Sequence, residues 1–157
     1  MGRQGSTVRE LVFALEFRGN AGPVPGTEGK RRARTTASSQ TLSTVLKADG
    51  VSARVDTGGG ETAVLEARVQ RFGDGTFVEE GTIRYGAAGS ITFETIGRGW
   101  VASSPIPGWS AGGVLWRITG GEGRFANAQG LITSNFTVNA DGDVVDNHFA
   151  RVYLPER

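Results

Sequence analysis

The chain of 157 residues contains no cysteine and a single histidine, His148. The first absence excludes disulfides, thiolate metal sites and cysteine nucleophiles, and leaves the redox compartment open. The second excludes a multi-histidine zinc or iron centre, so neither a metal nor another cofactor is expected. Charge of one sign is also missing, with 17 Lys and Arg against 16 Asp and Glu. Such a balance supplies no field for a nucleic acid or an anionic membrane surface, and neither is expected as a partner. No apolar run reaches about 18 residues and the N-terminus has no apolar signal core, so a soluble cytoplasmic chain is the simplest expectation. The opening "MGRQGS" matches a myristoylation pattern, Gly2 with Ser6, but no basic cluster directly follows it, and residues 1–7 read as a flexible start. The G-x-S-x-G elbow of serine hydrolases is absent. "GGEGRF" lacks the Lys-Ser/Thr ending of a phosphate loop.

What the chain does have is glycine, 25 residues of it, placed between short segments rich in Val, Ile, Thr and aromatics. Segments such as "TVRELVFALEFR", "TAVLEARVQRF", "GSITFETIG" and "VVDNHFARVYL" read as strands. Turn signals stand at "ADG" 48–50, "TGGG" 57–60, "GDG" 73–75 and "ADGD" 140–143. This spacing predicts one all-β domain over 1–157, a closed antiparallel β-barrel of about eight strands, because closure removes exposed edges. Two long loops are expected, 19–39 and 97–113. The first carries the basic run "GKRRAR", with Lys30, Arg31, Arg32 and Arg34, read as a solvated loop in preference to an anion or nucleic-acid site; the second carries Trp100 and Trp109, placed either to cap the barrel mouth or to pack on its outer wall.

The run "WRITGGEGRFANAQGLITSNF" is too dense in glycine for a helix and predicts strand, turn and strand, with Gly120, Gly121 and Gly123 supplying the turn. It resembles the strand-turn-strand of the allene oxide cyclase barrel family, and dirigent proteins, which share that barrel, have a similar Gly-Gly-x-Gly-x-Phe turn. "TFVEEGTIRYGAAGSITFETIG" is similar to that family's Phe-rich strand, glycine turn and following strand, and "VRELVFALEFR" to its first strand. The resemblance implies a calycin-type cavity and a cyclase-type activity. Arg18 stands where the plant cyclases carry asparagine, their cavity cysteine has no counterpart, and their cavity tyrosine is missing near Gly97. The plant substrate is therefore not implied.

Strand alternation divides the first strand into Val12, Ala14, Glu16 and Arg18 on one face and Leu11, Phe13, Leu15 and Phe17 on the other. The resemblance puts the Glu16 face inward. The apolar stripe would then lie outside, where another subunit would cover it, and a homo-oligomer, trimer or dimer, is expected. By the same alternation Phe77, Glu79, Ile83 and Tyr85 share one inner face, and Ile91, Phe93 and Thr95 another. On the last strand, sequence does not choose between the faces of Asn147/Tyr153 and His148/Leu154.

Glu16, Arg18 and, across the lumen, Glu79 are the candidate catalytic residues. Glu16 reads as a general base or as one half of a structural ion pair with Arg18. Val12, Ala14, Phe77, Ile83, Tyr85, Ile91, Phe93, Trp100 and Trp109 are the candidate ligand contacts. The expected function is a cofactor-free cyclase or isomerase acting on a hydrophobic small molecule, with secondary metabolism as its setting. The alternative is a non-catalytic binding or dirigent-like protein.

Overall fold

The computed structural model describes residues 7–156. The "MGRQGS" pattern lies outside the described residues. Eleven strands follow one another: β1 (Val8–Pro23), β2 (Lys30–Ala37), β3 (Gln40–Lys47), β4 (Gly50–Thr57), β5 (Ala63–Arg71), β6 (Thr76–Tyr85), β7 (Gly89–Thr95), β8 (Gly99–Ser103), β9 (Trp109–Gly123), β10 (Gln129–Asn139) and β11 (Asp143–Pro155). Hydrogen-bonded neighbours run β9, β10, β11, β1, β2, β5, β6, β7 and back to β9, which closes an antiparallel barrel of eight strand positions. β8 continues β7 in the same slot: both pair with β6 on one side and β9 on the other. β3 and β4 pair only with each other and form a hairpin outside the ring. No helix among the described residues is long and apolar enough to cross a membrane.

Both segments read as long loops contain strands. In the first, β1 extends to Pro23 and β2 starts at Lys30, leaving only a short turn between them. The alternation Arg31, Ala33, Thr35, Ala37 against Lys30, Arg32, Arg34, Thr36 suits a strand that packs small residues inward and keeps most of its charge outside. In the second, β8 and the start of β9 flank a loop of residues 104–108. Gly120, Gly121 and Gly123 also lie in β9. The turn itself follows them, with Asn127 in the left-handed region at φ 61°.

The orientation of β1 is the reverse of the expectation. Phe17 is fully buried, and Leu11, Phe13 and Leu15 pack against the same core. Burying four large apolar side chains, each about 1.5–3 kcal/mol relative to exposure, outweighs any preference an inward ion pair could supply. Glu16 and Arg18 therefore stand on the outer wall, where water retains access to Arg18. The stripe offered as a reason for an oligomer is the inner face of the barrel. On β11 the face that points inward is the one carrying Asp146, His148, Ala150, Val152 and Leu154, all buried.

The lumen is not uniform along its length. Phe125, on the turn after β9, plugs one end and packs on Tyr85, which in turn meets Phe13 edge-on. Above this plug the barrel is filled by Ile83, Ile91, Ile132, Val152 and the stacked pair Phe93–Trp116, with centroids 4.1 Å apart. Trp116 is the upper limit of the solid core.

Candidate functional site

Beyond Trp116 the side chains no longer fill the barrel. A cavity of about 70 Å³ opens toward the end formed by the β1–β2, β5–β6 and β10–β11 turns. Its walls are mainly apolar, with Leu65 and Val69 from β5, Phe77 from β6, Val101 from β8 and Phe136 from β10. Phe77 and Phe136 meet edge-on at 5.8 Å. The polar lining consists of Thr35, Glu79, Ser134 and Asp146 in the interior and Arg31 and Arg71 from the mouth-end segments of β2 and β5.

Glu79 and Asp146 form the chemical centre. The Glu79 carboxyl accepts a hydrogen bond from the Trp116 indole N–H, Nε1 to Oε1 at 3.0 Å. Burial, and secondarily the negative charge of Asp146, push Glu79 up to about 8, while the Trp116 bond opposes the shift. Glu79 thus holds a proton at neutral pH. Asp146 is held differently. It accepts from Ser134 Oγ at 2.6 Å and pairs with His148 Nε2 at 2.9 Å, all three residues being buried. The other ring nitrogen of His148, Nδ1, is buried and no hydrogen-bond partner among the described residues reaches it. The ring is clamped between Phe17, stacked at 4.3 Å, and the edge-on Trp116 at 5.0 Å. Two carboxyl groups thus line one mainly apolar cavity, Glu79 raised by burial and Asp146 held by Ser134 and His148. Among the described residues no three His, Asp or Glu side chains converge in a metal-ligating arrangement.

No protein-family model matches the sequence, and no curated protein matches it. The structure does find a counterpart. It superposes on the pterocarpan synthase dirigent protein GePTS1 with a TM-score of 0.60, covering 99% of this chain and 93% of that one at 13% identity. The barrel is of the dirigent type. At that identity the likeness is one of fold, and the chemistry has to be argued from the residues of this chain.

The dirigent-type barrel sorts the candidate residues into three groups. Phe77 and Glu79 line the cavity. Ile83, Tyr85, Ile91 and Phe93 face inward but belong to the packed core below Trp116. Burial raises the Tyr85 phenol well above its ordinary range, so it stays neutral. Val12, Ala14, Glu16 and Arg18 lie outside. The Glu16–Arg18 ion pair at 2.8 Å is a surface feature beside the hairpin, where Gln40 Nε2 bonds the Glu16 carbonyl oxygen at 2.9 Å. Trp100 is 58% exposed and pairs with Gly113, and Trp109 pairs with Asn139, both on the outer wall. Neither caps the mouth.

Asp146, Ser134, Trp116, Arg31 and Arg71 did not emerge from the sequence as site residues. For Asp146 a signal existed: an aspartate and a histidine two apart on a strand must share a face. That face was left open because either side of β11 carries apolar residues. Arg31 was hidden inside a basic run whose other members do point to solvent.

Proposed function

We propose that this dirigent-type barrel binds a hydrophobic small molecule in its open half and isomerises or cyclises it by proton transfer at Glu79 and Asp146. The observation that carries the reading is the Glu79 carboxyl, hydrogen-bonded to Trp116 and raised by burial to about 8, facing a cavity that Asp146 also lines. Glu79 is placed to donate its proton to the ligand, and the charge of Asp146 favours the cationic character that develops. Loss of a proton from a second position of the ligand to Asp146 completes an isomerisation in which no atom is gained or lost. Transfer of that proton back to Glu79 restores the starting state. Ser134 and His148 hold Asp146 in place, and Phe77, Phe136 and Trp116 offer flat apolar surfaces against which a flexible ligand is held folded. A role in orienting a ligand without turnover rests on the same cavity, and the name of the structural neighbour, both a synthase and a dirigent protein, supports either version.

Native mass spectrometry of protein purified from its own host identifies the ligand. With that compound as substrate, Glu79→Gln is expected to retain binding and to lower turnover about a hundredfold or more. Turnover that survives the substitution would remove Glu79 as the acid. A wild-type protein that binds the compound and returns it unchanged would leave the orienting role.

A further inference from the structure

Arg31 and Arg71 lie on the mouth-facing parts of two neighbouring strands and line the cavity together. Arg31 is opposite Val69 in the β2–β5 register, so Arg71, two residues on, shares its inward face. Two of the three arginines on the outer wall of the same strands are paired across the sheet, Arg34 with Glu66 at 3.5 Å and Arg68 with Glu80 at 3.3 Å, while Arg32 projects into solvent with no ion pair among the described residues. Arg31 and Arg71 enter no ion pair among the described residues. The side chain of Arg31 makes one hydrogen bond, Nη2 to the Ala21 carbonyl oxygen at 3.3 Å. The acids inside the cavity are already engaged: Glu79 carries its proton and accepts from Trp116, and Asp146 is bonded to Ser134 and His148.

We propose that Arg31 and Arg71 together bind an anionic group of the ligand, a carboxylate, so that the cavity takes an apolar molecule with one negatively charged end. The proposal rests on the cavity being the ligand site. The two guanidiniums share one face at the mouth and repel each other: burial first, and then the charge of Arg31, lower the proton affinity of Arg71. A bound carboxylate relieves that repulsion, and the planar fork of each guanidinium can meet it with two hydrogen bonds. The arrangement also fixes direction. Asp146 repels an anion from the floor while the arginines attract it to the mouth, so the apolar body points inward and reaches Glu79. Selection of a charged end and orientation of the reacting end are then one property.

Isothermal titration calorimetry of the full chain with cinnamate and cinnamamide tests this, because the two probes share an apolar body and differ in charge. Wild-type protein is expected to bind cinnamate about tenfold or more tighter, with the preference shrinking as salt is raised. Arg31→Gln and Arg71→Gln should each weaken cinnamate about fivefold or more and leave cinnamamide within about twofold. Arg32→Gln, on the outer wall, controls for overall charge and should bind as wild type does. Glu79→Gln should keep the preference, which separates recognition from acid–base chemistry. Equal affinity of the wild type for both probes, or a preference that survives the double substitution of Arg31 and Arg71, overturns the proposal and leaves the cavity as a site for neutral ligands. Binding of neither probe overturns it together with the ligand reading of the cavity.

Discussion

Glu79 is where the barrel is most demanding of a single residue. Its ordinary value of 4.5 rises to about 8 in the fold, so between those limits the native state holds a proton that the unfolded chain has released. The native state then binds more protons, and stability must fall as pH rises through that window. The full contribution is present below about 4.5 and is lost on passing about 8. At roughly 1.4 kcal/mol per unit, a few kcal/mol are involved. Urea titrations from pH 5 to pH 9 should show this decline in wild type and a flatter profile in Glu79→Gln. An identical pH dependence in the two proteins would mean that Glu79 is not buried as a neutral acid. Asp146 supplies part of the shift through its charge, so Asp146→Asn should move the Glu79 midpoint downward. The protonated-carboxyl stretch followed by infrared titration reads that midpoint directly. An upward or absent movement would show that the two carboxyls do not sense each other.

Strands and turns set the next scale. β9 can pass close to its neighbours because Gly121 has no side chain: a Cβ there would fall on the Phe125 carbonyl oxygen and within 2.7 Å of that of Ser90. Gly123 is in the left-handed region at φ +66°, whereas a Cβ on Gly120 would meet only Thr92 Oγ1 at 3.6 Å. The three glycines of the same motif therefore differ in consequence. Gly121→Ala and Gly123→Ala should each cost about 1 kcal/mol or more, lowering Tm by about 3 °C or more, while Gly120→Ala should shift it by less than about 2 °C. Equal shifts for all three would contradict the local geometry. The β3–β4 hairpin is a different kind of element. One face carries Leu42, Leu46, Val51 and Val55, and the first three of these are at least half exposed. A two-stranded ribbon without a covering layer is marginal by itself. Its amides should exchange with deuterium faster than those of any barrel strand, and protection equal to that of β5 would show that the hairpin is held by something more.

At the scale of the whole molecule, closure depends on the two ends of the chain meeting. β1 and β11 pair from Val8 with Pro155 to Asn20 with Asp143. No local segment can replace this contact, because removing β11 opens the ring and exposes the inner faces of β1 and β10 together. Truncation after Gly142 should abolish the cooperative thermal transition. Replacement of residues 41–56 by a short Gly-Ser linker should keep it, with Tm changed by only a few degrees, since the ring closes without β3 and β4. Calorimetry of the two variants decides the matter. A cooperative transition in the truncated chain, or none in the linker variant, would assign closure to the wrong strands.

Much of the barrel is legible in sequence because its signals are local. Period-2 alternation, glycine and Asp-Gly turns and the absence of helical periodicity reflect backbone sterics within a few residues, and they are enough to specify antiparallel strands around a closed core. Alternation also placed Phe77, Glu79, Ile83 and Tyr85 on one inner face. It cannot say which of two faces turns inward, since that depends on what each face meets across the barrel. On β1 the large apolar side chains decided the matter against Glu16 and Arg18, and on β11 the packing of His148 against Phe17 and Trp116 turned Asp146 into the cavity. The site itself is set by tertiary structure for the same reason. Glu79 comes from β6, Asp146 from β11 and Arg31 from β2, and only ring closure brings these distant segments to one cavity, where burial changes what an ordinary carboxyl group does.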